Sequence, residues 1–166
     1  MPQRVCVMGV SGAGKTVVGS LLADALGVAF LDGDDLHPPE NVQRMAQGIP
    51  LTDNDRRGWL AAIATHVAEA RRTGTGLVVS CSALKRAYRD VLRSADADLR
   101  FVHLTGDRAL ISQRLSQRVG HYMPSSLLDS QLATLEVPSV DEHAWTFDFA
   151  DTPQAIVARI AERLRA

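Results

Sequence analysis

Short apolar runs alternate with longer stretches of helical periodicity from one end of the chain to the other. Residues 5–8 form a β-rich run that ends at a glycine. Residues 16–26 place Val17, Val18, Leu21, Leu22, Ala25 and Leu26 on one helical stripe, and Gly27 supplies a natural stop. Residues 28–31 read as a second buried strand, ending in Asp32-Gly33-Asp34. Residues 39–47 read as a short helix with proline in its first turn. Thr52 can cap the next helix, in which Trp59, Leu60, Ile63 and Val67 recur at helical spacing. Further strands are expected at 77–79, 101–104 and 145–149, the last with Trp145, Phe147 and Phe149 as core side chains. Further helices are expected near 85–93, 109–118 and 126–135, and from Thr152-Pro153 to the C-terminus. Strands alternating with helices predict an α/β domain with a mainly parallel sheet. Apolar runs without strict alternation suit strands covered on both faces. The segment from about 113 to 138 is the least strand-like and reads as an excursion from the core.

Composition narrows the field. At 166 residues the chain is one domain, large enough to need no disulfide or metal staple. Its 18 basic and 19 acidic side chains leave a net charge of −1, which argues against a nucleic-acid surface and against an acidic tail. No apolar run approaches a membrane span, and the first ten residues lack a signal-peptide layout, so no membrane partner is expected. Cys6 and Cys81 lie in apolar runs without a CxxC pair and read as buried thiols in a reducing compartment, most simply the cytoplasm. No His or Cys cluster accompanies them, so they are not read as metal ligands. Lys15 and Lys85 are the only lysines among the 18 basic residues, and each stands beside a motif-like loop.

Gly9-Val10-Ser11-Gly12-Ala13-Gly14-Lys15-Thr16 fits GxxxxGK[ST], with a predicted strand before it and an amphipathic helix after. Glycines let backbone N–H groups converge on phosphate oxygens without Cβ clashes. The helix N-terminus adds its positive dipole. Lys15 would reach the β- and γ-phosphates of ATP, and the Thr16 hydroxyl would ligate Mg²⁺. Asp32 and Asp34 follow at the C-terminal end of the second predicted strand, the edge where open α/β sheets bind ligands. One carboxylate can hold the Mg²⁺ water shell while the other orients an attacking hydroxyl or accepts its proton.

Several strings together resemble one family, the bacterial-type gluconokinases. They are the phosphate loop, Phe30-Leu31-Asp32-Gly33-Asp34-Asp35-Leu36-His37-Pro38, and Gly48 to Arg56 with Trp59-Leu60 behind it. Cys81-Ser82-Ala83-Leu84-Lys85-Arg86-Ala87-Tyr88-Arg89-Asp90 belongs with them, as do Gly120-His121, Met123-Pro124, Gln131 and Leu135-Glu136. Asp35 departs from the pattern by adding a third acid. The resemblance implies ATP-dependent phosphorylation of D-gluconate. It also implies a three-layer kinase fold, a five-stranded parallel sheet in the order 2-3-1-4-5, a helical lid and a homodimer.

A small polyhydroxy acid needs cations for its carboxylate and hydrogen-bonding groups for its hydroxyls. His37, Lys85, Arg86, Arg89, His121 and Gln131 supply such groups from separate segments. A solvated helix face explains Lys85, Arg86 and Arg89 almost as well. The resemblance makes Asp34 the candidate for the reacting hydroxyl and Asp32 the group nearer Mg²⁺, although the residues alone allow the two roles to be exchanged. Arg114 and Arg118, four apart, project from one helical face and suit a lid that neutralises charge on the γ-phosphate. A kinase of the same fold acting on shikimate or a nucleoside monophosphate, or a module that senses ATP without phosphoryl transfer, would share the phosphate loop.

Overall fold

A computed structural model describes residues 2–117 and 125–166. Its sheet comprises β1 (Arg4–Met8), β2 (Ala29–Asp32), β3 (Leu77–Ser80), β4 (Arg100–Thr105) and β5 (Trp145–Asp148). The strands are all parallel and lie in the order β2-β3-β1-β4-β5, as expected. Seven helices occur among the described residues: α1 (Lys15–Leu26), α2 (Pro39–Ala46), α3 (Asp53–Thr73), α4 (Arg86–Ala95), α5 (Arg108–Ser116), α6 (Ser125–Thr134) and α7 (Pro153–Arg165). Right-handed crossovers that step in opposite directions along a parallel sheet fall on opposite faces. The crossover from β1 to β2 therefore puts α1 on one face, where it packs with α7, and the crossovers through α3 and α4 cover the other.

Burial follows this layering. Leu77–Ser80 is buried throughout, and β1 and β4 are buried except at their ends. The second strand is different from its sequence reading. It is the sheet edge, only half-covered, with Ala29 exposed and Phe30, Leu31 and Asp32 intermediate. An edge strand has one neighbouring strand, β3, and α1 packs against this one. The fifth strand is the other edge. Phe147 is buried, Trp145 is partly covered, and Phe149 is buried just beyond the strand end.

Local chemistry sets the element ends. Thr52 closes a capping box with Asp55 at the start of α3, and Gly27 and Gly74 end α1 and α3 in the left-handed region. Gly33 opens a 3-10 turn, Gly33–Leu36, that the sequence pattern did not predict. A Cβ there would lie 2.3 Å from the Ser80 carbonyl oxygen, so only glycine lets the end of β2 close onto β3. Within the expected excursion, α6 is packed rather than detached, with Leu127 and Leu128 buried and Leu132 against the core.

Two buried polar contacts make the fold testable. Trp59 is buried, and its Nε1–H donates to the Gly33 carbonyl at 2.7 Å. Trp59→Phe removes that hydrogen bond and leaves a smaller ring in a buried site, and should lower the unfolding free energy by about 1–3 kcal/mol in a urea titration. His103 on β4 is buried, its Nδ1 without a hydrogen-bond partner among the described residues, and burial followed by the charge of Arg89 lowers its pKa to about 4. Between that value and the ordinary 6.5 the unfolded chain binds more protons, so stability should fall as pH drops through that window. His103→Phe should flatten the dependence of the denaturation midpoint on pH between 6.5 and 4.

Candidate active site

The phosphate loop leaves the C-terminal end of β1 at the centre of the sheet. Gly12 and Gly14 have φ of +86° and +92°, conformations that glycine adopts without a Cβ penalty. Ile111 and Leu115 of α5 lie 3.1 Å from where a Gly12 Cβ would stand, so α5 packs directly on the loop. The Lys15 ammonium, nearly buried, donates to the Val10 carbonyl at 3.1 Å across the loop. Gln131 of α6 accepts a hydrogen bond from the Ser11 N–H at 2.8 Å. Its side chain therefore braces the phosphate loop.

Two cavities flank the loop. One, of about 340 Å³, is lined by residues 11–18 together with Asp34, Arg114, Phe149, Asp151, Pro153 and Ile156. Arg114 donates to the Phe149 carbonyl at 2.6 Å, and its guanidinium lies 5.3 Å from the centre of that ring. The residues just before α7 thus form the far wall. The second cavity, of about 550 Å³, lies on the other side, walled by the end of β2, α2, the start of α3, the turn after β3 and α6. Ser11, Lys15, Thr16 and Asp34 line both.

The acids have distinct surroundings. Asp32 Oδ2 accepts from the Thr16 hydroxyl at 3.3 Å, and Oδ1 accepts from the Ser80 hydroxyl at 3.1 Å and the Asp34 N–H at 3.0 Å. The Asp34 carboxylate accepts no hydrogen bond among the described residues and opens to both cavities. Asp35 lines the second cavity.

His37 also lines the second cavity, stacked on Trp59 with ring centres 4.1 Å apart. Burial lowers its pKa and so favours the neutral ring, an effect partly offset by Asp34 and reinforced by Arg56. Asn41 Nδ2 donates to the Asp55 carbonyl at 2.8 Å and lies 3.3 Å from His37 Nδ1. A carbonyl only accepts, so the Asn41 atom facing it is the nitrogen, and Nδ1 must accept from it. The neutral ring then carries its proton on Nε2, available as a donor.

The three basic residues grouped around α4 do not line this cavity. Lys85 pairs with Asp53 at 3.0 Å. Arg86 pairs with Asp141 at 2.6 Å and with the Ser139 hydroxyl at 2.8 Å. Arg89 is fully buried and bound to Glu142 at 2.6 Å and to the Ala83 carbonyl at 2.8 Å. A guanidinium sealed from solvent, with four of its five N–H donors bound inside the protein, is not part of the cavity wall, in contrast to the expectation that Arg89 touches substrate. Arg118 and His121 lie outside the described residues.

Arg56 is the cation that sequence reasoning passed over. It lines the second cavity, and its Nη1 donates to the Tyr88 hydroxyl at 2.8 Å. Tyr88 donates in turn to Asp53, which also holds Lys85. The signal was present: Arg56 continues the row formed by Trp59, Leu60, Ile63 and Val67 toward the N-terminus of α3, a charge on an apolar stripe.

Comparison with known proteins gives this geometry a lineage. A family model described as an AAA domain matches residues 5–138. A gluconokinase of Gluconobacter oxydans is 46% identical over 165 residues, 99% of this chain and 93% of that protein. The thermosensitive gluconokinase of Escherichia coli is 47% identical over 82% of this chain and 73% of its own length. The crystal structure of a gluconokinase from Sinorhizobium meliloti superposes with a TM-score of 0.86 at 47% identity, covering 99% of this chain and 96% of that one. A shikimate kinase from Bacteroides thetaiotaomicron, 19% identical with a TM-score of 0.72, shares the fold. With the sheet order, the phosphate loop and identity of this extent in agreement, the chain belongs to the gluconokinase family.

Proposed function

We propose that the chain transfers the γ-phosphoryl group of ATP to the primary hydroxyl of D-gluconate. The observation that carries this reading is the shared rim: Ser11, Lys15, Thr16 and Asp34 belong to both cavities. ATP takes the cavity walled by Arg114, Phe149 and Pro153, with its phosphates on the loop, and gluconate takes the larger one. The reacting groups then meet where the two walls are common. Phosphoryl transfer needs positioning and charge neutralisation more than covalent help. The gluconate hydroxyl oxygen forms the new bond to phosphorus, the bond from phosphorus to the β–γ bridging oxygen breaks, and ADP leaves. Asp34, whose carboxylate is uncommitted, orients the hydroxyl and receives its proton. Lys15 supplies positive charge to the phosphates, and Arg114 reaches the nucleotide from α5.

Thr16 and Asp32 present a hydroxyl and a carboxylate 3.3 Å apart. That oxygen pair fits Mg²⁺, which keeps several waters and takes the rest of its shell from phosphates. When bound, the ion neutralises charge on the β- and γ-oxygens. On the acceptor side, Arg56 receives the carboxylate of gluconate, while His37 Nε2–H donates to a hydroxyl. The proposal extends to a homodimer in the cytoplasm. The family resemblance supports the first. Two buried free thiols support the second, and no helix among the described residues is long and apolar enough to cross a membrane.

ADP release from Mg·ATP should depend on D-gluconate and not on shikimate or nucleoside monophosphates; release with another acceptor alone would overturn the substrate. Lys15→Met or Asp34→Asn should lower kcat by roughly 10²–10³-fold, the scale of losing one central electrostatic group. Arg56→Leu should raise KM for gluconate by about 10–100-fold and leave KM for ATP within about twofold, since a charged hydrogen bond is worth about 1.5–3 kcal/mol. A neutral hexitol should then compete with gluconate more nearly as an equal, which steady-state inhibition measures.

A further inference from the structure

The turn after β3 supplies Ser82 and Leu84 to the acceptor cavity, and α6 supplies Leu127, Ser130 and Gln131. These two walls are distant in sequence, and a buried ion pair joins the first to the segment that follows the second. Arg89 Nη1 donates to the carbonyls of Ala83 at 2.8 Å and Leu84 at 3.3 Å. Its Nε and Nη2 grip Glu142 at 2.6 and 3.1 Å. Both side chains are essentially inaccessible to solvent. Glu142 also accepts from the Ser139 N–H at 2.9 Å and from Arg93 at 2.6 Å. The strap that follows α6 is stitched to the same turn again, because the Glu136 N–H donates to the Leu84 carbonyl at 2.7 Å and the Arg86 N–H donates to the Glu136 carboxylate at 3.0 Å. Ala83 adopts φ of +46°, a left-handed conformation that a side chain disfavours and that surrounding contacts must hold.

We propose that Arg89 is a positioning residue for the acceptor: it clamps the Ala83–Leu84 turn to the strap behind α6 and so sets the spacing of the two walls between which gluconate binds. The proposal rests on the larger cavity being the gluconate site. Arg89 does this without touching substrate. A buried ion pair adds little net stability over an apolar pair of similar volume. Four directed hydrogen bonds from one guanidinium fix geometry that an apolar pair does not.

Steady-state kinetics and thermal unfolding of four proteins test this: wild type, Arg89→Lys, Arg89→Met, and Arg89→Met combined with Glu142→Met. Arg89→Met removes the buried partner of Glu142, leaving the carboxylate to Arg93 and the Ser139 N–H, and should lower the unfolding midpoint by on the order of 10 °C. The double variant should regain most of that loss. It should nevertheless keep a KM for gluconate raised about tenfold or more, with KM for ATP within about twofold of wild type. Arg89→Lys keeps a charge opposite Glu142 but has a single ammonium in place of the fork, and should show the same selective rise in a folded protein. A gluconate KM at the wild-type value in Arg89→Lys, or in a folded double variant, overturns the clamp, as does an equal rise in both KM values. If wild type itself fails to turn over gluconate, the function falls and the clamp with it. If wild type turns over gluconate and the variants match it, only the clamp falls.

Discussion

Asp32 holds together the point on which the structure depends. One carboxylate accepts from the first residues of α1 through Thr16, from the end of β3 through Ser80, and from the backbone of the turn that carries Asp34. Three segments distant in sequence converge there because the parallel sheet brings the ends of β1, β2 and β3 to one edge. The close approach of Gly33 to Ser80 follows from the same convergence, and Trp59 seals it from below through the Gly33 carbonyl. Asp34 is left uncommitted because its neighbour absorbs the local hydrogen-bond donors.

The two cavities differ in how they are built. The smaller cavity rests on the phosphate loop and on α5, which packs against Gly12, so its walls are close in space to the core. The larger cavity is assembled from five segments besides the loop and depends on ties between them. Arg56 is held by Tyr88 and, beyond it, by Asp53; His37 by Trp59 and Asn41; the turn after β3 by Arg89. The exposed Lys85–Asp53 pair adds little stability by itself, and its effect is to orient Tyr88. Burial would raise the Glu142 pKa, but Arg89 and Arg93 override it and bring it to about 2, so the carboxylate of the clamp stays charged near neutral pH.

The strands, the helix count and the phosphate loop were legible because each rests on short-range patterns: apolar periodicity, glycines at stops, a capping threonine; the strand order was legible only through the family resemblance. The second strand read as buried, although the expected order puts it at the sheet edge, because Phe30 and Leu31 look the same in sequence whether they are fully or half covered. The 3-10 turn at Gly33–Leu36 has too short a period to show in a hydrophobic pattern. Arg89 was assigned to substrate because an arginine on a helix reads as surface charge or ligand contact. Its partner, Glu142, lies 53 positions away.

The sequence by itself determined the kind of chemistry. A GxxxxGK[ST] loop between a strand and a helix turns backbone N–H groups toward a phosphate, and the acids behind it belong at the same sheet edge, since both follow from backbone geometry within a few residues. Which side chains line a cavity was decided by tertiary structure. Arg56, Arg86 and Arg89 are chemically identical, yet the first lines a cavity, the second pairs at the surface and the third is sealed in the core. The difference lies in where Tyr88, Asp141 and Glu142 stand around them, and those partners come from elements joined only by the folding of the sheet.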